Sequence, residues 1–260
     1  MHWERPVRDT TTGITTLLLL ALLVLCAVAT LLCGVSAGLV VGLGGVVALN
    51  GAAYWCSDCV VRAVTRARPL GSGEAPWLRA LVIELAGQAR MPVPRIAVID
   101  TPAPDALYTG RDPAHGVILV TTGLLARLDT RAARAVLAHE MAHIAGRDTM
   151  LGALTMTLVA VSVAAALVEQ IMALVGHPDA DTLALLLVAP LTALLLQRAL
   201  SRTREYAADA GGAFLCGDAS ALADALCLMA PPRGNHRAGR VRALFHAHPP
   251  PAARIARLHA

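Results

Sequence analysis

Lysine is absent from this chain, so all 22 of its basic side chains are arginines. Aromatic residues make up only 3% of it and charged residues 15%, against about a quarter charged in an ordinary soluble domain. The formal net charge is a modest +4, and the arginines flank apolar runs rather than gathering in a patch of their own. That distribution argues against nucleic acid as a partner and suits membrane topology. Cysteine is sparse as well: six residues, at positions 26, 33, 56, 59, 216 and 227. Cys26 and Cys33 lie in an apolar run as packing residues. Cys56-Ser-Asp-Cys59 has metal or redox spacing, but no second pair accompanies it, and nothing demands an oxidising compartment. There is no internal repeat.

What the chain has instead is apolar sequence. At 56% hydrophobic it exceeds the roughly 45–50% of soluble domains. An uncharged run over 14–32 is long enough to cross about 30 Å of hydrocarbon. After Gly34, Ser36 and Gly38 a second run covers 39–54. Arg5 and Arg8 would suit the start of a signal peptide, yet apolar sequence continues past any cleavage point, which favours a membrane hairpin. A third run spans 150–175 and a fourth 182–199, the latter with Pro190, which membrane helices tolerate. A buried helical hairpin in a soluble core is the alternative for this second pair.

Arginines at 5, 8, 62, 66, 68, 147, 198, 202 and 204 all fall on one side of such a four-span topology. The intervening loops 33–38 and 176–181 contain none, and the second carries Asp179 and Asp181. The positive-inside rule therefore places both termini and most polar sequence in the cytoplasm, with the chain multi-pass in the cell membrane. The expected organisation is a tail and hairpin over 1–55, a first part of a cytoplasmic domain over 56–149, a second hairpin over 150–200, and the rest of the domain over 201–260.

Within the polar sequence, Trp77–Arg90 reads as an amphipathic helix. Arg95–Asp100 and Gly116–Thr121 are β-branched runs bounded by Pro or Gly and read as strands, with Ala106–Thr109 a third short one. A helix follows, capped by Asp129 or Thr130, so the domain is α+β. The Pro- and Gly-containing stretch Ala230–Gly239 reads as a loop.

That helix carries His139-Glu140-Met141-Ala142-His143. Positions i and i+4 share a face, so both imidazoles can reach one ion, while Glu140 stands about 100° around the helix, placed to act as a base. A solvated amphipathic helix is the competing interpretation. Catalytic zinc takes three protein ligands, and no histidine or cysteine closely follows His143, which excludes the extended three-histidine pattern. The strongest candidate for the third ligand is Glu205, in Ser201-Arg-Thr-Arg-Glu-Tyr-Ala-Ala-Asp209. Glu205 and Asp209 again share a helix face, so one carboxylate can ligate while the other orients a ligand histidine. A solvated juxtamembrane helix remains open for this segment. A hairpin formed by the third and fourth runs would return Glu205 to the membrane face on which His143 lies. Zinc-dependent peptide hydrolysis is the leading expectation. The alternatives are a membrane signalling or scaffold protein with a non-catalytic zinc site, for which four closed ligands would be usual, and a transporter, which would need ionisable residues in mid-span.

These motifs resemble the HtpX-like and CAAX-prenyl-endopeptidase group of membrane zinc metallopeptidases. His139-Glu-Met-Ala-His-Ile-Ala-Gly-Arg-Asp148 is similar to that group's H-E-x-x-H-x-x-x-x-D, and Ser201–Asp209 to its S-R-x-R-E-x-x-A-D. Phe245-His-Ala-His-Pro-Pro-Pro-Ala-Ala-Arg254-Ile-Ala-Arg-Leu258 is similar to its H-P-P-x-x-x-R-I-x-x-L, and Thr109-Gly110 and Thr121–Leu125 to the stretch before the metal helix. The resemblance implies a cytoplasmic zincin-like domain with one zinc ion per chain on His139, His143 and Glu205. It implies Glu140 as general base, Asp209 as the group that fixes a ligand imidazole, and His248 and Arg254 near substrate or the developing oxyanion. The implied substrates are membrane or misfolded proteins cleaved at the cytoplasmic face of the bilayer, in membrane-protein quality control under stress. One departure stands out: where the group commonly has N-A-F before its T-G, this chain has Asp105-Ala106-Leu107-Tyr108. That stretch lies near the edge strand where a zincin lays its substrate, so the departure bears on substrate preference.

Overall fold

The computed structural model describes residues 35–174, 180–229 and 249–259. The run 14–32, the loop 230–239 and His248 lie outside the described residues. In chain order the elements are α1 (Val35–Trp55), α2 (Ser57–Thr65), β1 (Arg68–Pro69), α3 (Pro76–Gln88), β2 (Arg95–Ile99) and β3 (Ala106–Thr109). A 3-10 turn (Pro113–His115) leads to β4 (Val117–Thr121), α4 (Thr122–Arg127) and α5 (Thr130–Ala145). Then come α6 (Asp148–Leu174), α7 (Ala180–Cys216), α8 (Ala219–Met229) and α9 (Pro251–Leu258). Contacts divide the chain into two units: residues up to Trp55 with Leu151–Ala199, and Cys56–Met150 with residues from Leu200 onward.

In the first unit, Val46 of α1 is buried with Ala160 of α6. Among the described residues no single helix is long and apolar enough to cross a membrane. The pairs Val40–Trp55 with Ser57–Ala63, and Thr130–Ala145 with Asp148–Val163, pass such a test only together, by length and composition. In α6, Thr155 and Thr157 turn their hydroxyls back onto the Leu151 and Ala153 carbonyls at 3.0 and 2.8 Å.

The second unit is built on a mixed sheet in the order β1-β2-β4-β3. β2 runs parallel to β4, with Ala97 opposite Leu119, while β3 runs antiparallel to β4, with Tyr108 opposite Ile118. Every residue of β4 is buried, as a central strand covered on both faces requires. β3 closes one side of the sheet and leaves an edge. The turn between β3 and β4 needs Gly110: its φ is +122°, and a Cβ there would lie 2.3 Å from the His115 carbonyl oxygen. Thr121 joins strand to helix, its hydroxyl accepting from the Asp105 amide at 2.9 Å and from the Leu124 amide at 3.0 Å.

α3 presents Leu78, Leu81, Val82, Leu85 and Ala86 at helical spacing to a core shared with Val98, Ile118 and Val120 of the sheet and Val136, Leu137 and Met141 of α5. α5 is buried along nearly its whole length and is capped by Asp129, whose side chain accepts from the Ala132 amide at 2.7 Å. On its other side Ala135 meets Ala221, Leu222 and Leu226 of α8, and Ile255 and Leu258 of α9 pack on that same cluster. α8 thus acts as a wedge that holds α9 in place. Replacing Leu222 by Ala removes its centre and is expected to cost about 2–5 kcal/mol. A thermal unfolding midpoint unchanged from wild type would contradict this packing.

Candidate metal centre

The centre is assembled from α5, α6, α7 and α9 within the second unit. His139, Glu140 and His143 of α5, Asp148 of α6, Glu205 and Asp209 of α7, and Arg254 of α9 are all buried. Two close approaches make this possible. Gly212 of α7 lies so near α5 that a Cβ would sit 2.8 Å from the His139 backbone nitrogen, so the helices touch at the metal-site turn. At the far end of α5, Arg147 adopts a left-handed φ of 54°, which turns the chain so that Asp148 faces back toward His143. Arg204 of α7 holds that turn, donating to the Asp148 carbonyl at 2.7 Å.

Each imidazole is oriented by its own carboxylate. His143 Nδ1 lies 2.6 Å from Asp148 Oδ2, and His139 Nδ1 lies 3.0 Å from Asp209 Oδ1. A carboxylate oxygen at that distance calls for an N–H, so each Nδ1 carries the proton and each Nε2 a lone pair. Burial is the main influence lowering the His139 pKa, which keeps the ring neutral at pH 7. For Asp209 burial alone would raise the pKa, but hydrogen bonds from Arg254 and His139 outweigh it and hold it at about 2. The Asp209–Arg254 pair is bidentate, with Nε to Oδ2 at 2.8 Å and Nη2 to Oδ1 at 2.5 Å.

The two Nε2 atoms stand 3.1 Å apart, and the Glu205 oxygens lie 3.8 Å from that of His139 and 3.7 Å from that of His143. Three acceptor atoms converging without a proton between the imidazoles fit a cation. Ligand atoms at about 2.0–2.1 Å from a tetrahedral zinc stand roughly 3.3 Å apart, close to these separations. Arg254 Nη2 also lies against the His139 ring, 3.4 and 3.3 Å from its Nδ1 and Nε2. Its other terminal nitrogen approaches Glu205 at 3.6 Å.

Of the residues singled out from sequence, His139, Glu140, His143, Glu205, Asp209 and Arg254 come together here, while Cys56 and Cys59 are exposed free thiols. Sequence reasoning missed two contacts. Asp148 was visible only as part of a motif, although a carboxylate just past the end of a metal helix is well placed to orient a ligand. Tyr108, whose ring stacks on His143 with centroids 4.5 Å apart, is separated from it by a strand and a helix and gave no local signal.

Two imidazoles and a carboxylate converging beside a second, base-like glutamate on a helix, next to a sheet that ends, among the described residues, in β3, define a metallopeptidase. The chain belongs to Peptidase family M48, which it matches over residues 72–260. It is 44% identical over 202 residues to a protease HtpX homolog of Acidiphilium cryptum, covering 74% of this chain and 69% of that one. It is 34% identical to the Desulforapulum autotrophicum protease HtpX homolog, covering 94% of this chain and 88% of that one. Among solved structures, the crystal structure of S. mikatae Ste24p matches in fold with a TM-score of 0.61 at 20% identity. That match covers 92% of this chain, which spans 61% of the Ste24p chain.

Asp148 yields a direct test of this geometry. Asp148→Ala frees the His143 ring and is expected to weaken zinc binding roughly 10–100-fold in a chelator competition, with helical content retained. Unchanged affinity would show that Asp148 does not position the ligand.

Proposed function

We propose that this chain is a membrane-integrated endopeptidase that uses one zinc ion to hydrolyse peptide bonds in membrane or unfolded proteins at the cytoplasmic face of the cell membrane, in membrane-protein quality control. The observation that carries the proposal is the convergence of His139 Nε2, His143 Nε2 and a Glu205 carboxylate oxygen beside buried Glu140. Three protein donors suit a catalytic site, whereas structural zinc is usually closed by four. Bound there, zinc supplies a Lewis acid that polarises the scissile carbonyl. Glu140 takes the proton of the attacking water on its carboxylate and returns it to the leaving amine. Asp209 and Asp148 hold the two imidazoles in the tautomer that offers Nε2, and Arg254 keeps Asp209 ionised and in place. In this reading His248 stands near substrate.

The membrane arrangement belongs to the same proposal: four spans over about 14–32, 39–54, 150–175 and 182–199, with residues 56–149 and 201–260 forming one cytoplasmic peptidase domain. It is supported by the arginine distribution and by the length of the apolar runs. The hydrolytic core of the proposal is tested by Glu140→Gln, purified in detergent and supplied with zinc. The variant is expected to keep stoichiometric metal while cleavage of an unfolded membrane protein falls at least about 100-fold. Cleavage at the wild-type rate would remove Glu140 from the mechanism.

A further inference from the structure

The two ligand imidazoles are immobilised by different means. The His139 ring is fixed by Asp209 on Nδ1 and by Arg254 against it. His143 has Asp148 on Nδ1 and meets the His139 ring edge-on, with centroids 4.6 Å apart and planes at 89°. One hydrogen bond fixes a ring's direction but leaves it free to rock about that bond. The face of the ring is held by Tyr108, stacked at 4.5 Å with planes only 14° apart. Tyr108 is itself anchored in β3, paired with Ile118 of the central strand, and packs against the main core. Burial raises the pKa of its hydroxyl, so the ring is neutral and uncharged at pH 7.

We infer that Tyr108 is a positioning residue for zinc: its ring face sets the plane of His143, and through β3 it ties that ligand to the strand edge along which an extended peptide would pair. The inference rests on the metallopeptidase reading above. Aromatic stacking of this kind is enough to change the population of competent ring orientations by up to about ten-fold. The contribution requires a flat ring at position 108 and makes no use of the hydroxyl. An extended peptide on the β3 edge would then load the same strand that braces the metal ligand, so substrate docking and ligand order are mechanically linked.

The test uses the full chain in detergent with Tyr108→Phe, Tyr108→Leu and Tyr108→Ala, each first shown to be folded by its thermal midpoint. Zinc affinity is measured by chelator competition, and the cobalt-substituted proteins are compared by visible absorption, which reports ligand geometry independently of cleavage. Phe is expected to match wild type in both. Leu, which fills space without a ring face, and Ala are expected to bind zinc roughly ten-fold more weakly with an altered cobalt spectrum. Wild-type affinity and spectrum in the Leu and Ala variants would overturn the inference. So would a loss in Phe equal to that in Ala, because the hydroxyl would then carry the effect. Failure of the wild-type chain to bind zinc or cobalt at all would instead overturn the metallopeptidase reading, which keeps the two failures distinct.

Discussion

Two buried imidazoles must point their lone pairs at each other, and the rest of the peptidase unit is arranged to make that tolerable. Left to themselves, the Nε2 atoms of His139 and His143 would repel at 3.1 Å, and Glu205 adds a third acceptor. The convergence persists because each ring donates its Nδ1–H to a carboxylate, which leaves the lone pair on Nε2, and because a cation can occupy the point where the acceptors meet. Removing several carboxylates from water is costly unless each is paired. Arg254 meets much of that requirement, binding Asp209 through two hydrogen bonds and approaching Glu205.

This demand explains the architecture. A ligand helix that tilted or frayed would separate the donors, so α5 sits at the centre of the unit, between the core under the sheet and the α8–α9 cluster. The remaining groups arrive from elements far apart in sequence: Asp148 from the turn after α5, Glu205 and Asp209 from α7, and Arg254 from α9. Close contact of α7 with α5 depends on a glycine at 212, where any side chain would meet the His139 backbone.

Much of the local structure was legible in the residues. Alternation and β-branching marked β2, β3 and β4 to within a residue or so, and the capping aspartate announced α5, because these signals act between near neighbours. The His139–Glu140–His143 spacing and the Glu205–Asp209 spacing were equally readable, since a helix puts i and i+4 on one face whatever surrounds it. Less was legible about pairing. Nothing local says that Asp209 orients His139 while Asp148 orients His143, or that Arg254 spends its hydrogen bonds on Asp209. The edge position of β3 was anticipated, but the stack of Tyr108 on a metal ligand was not, because it joins residues brought together only by the packing of α5 on the sheet.

By itself, then, the sequence determined which side chains could serve a metal, the helix that carries them, and an apolar composition unlike that of a soluble domain. Those properties follow from residue type and helical periodicity, which need no partner. Only the tertiary structure decided which carboxylate serves which imidazole, where the buried guanidinium of Arg254 is committed, and which ring braces His143. These are contacts between separate elements, set by how closely helices can approach and by the need to pair every charge removed from water.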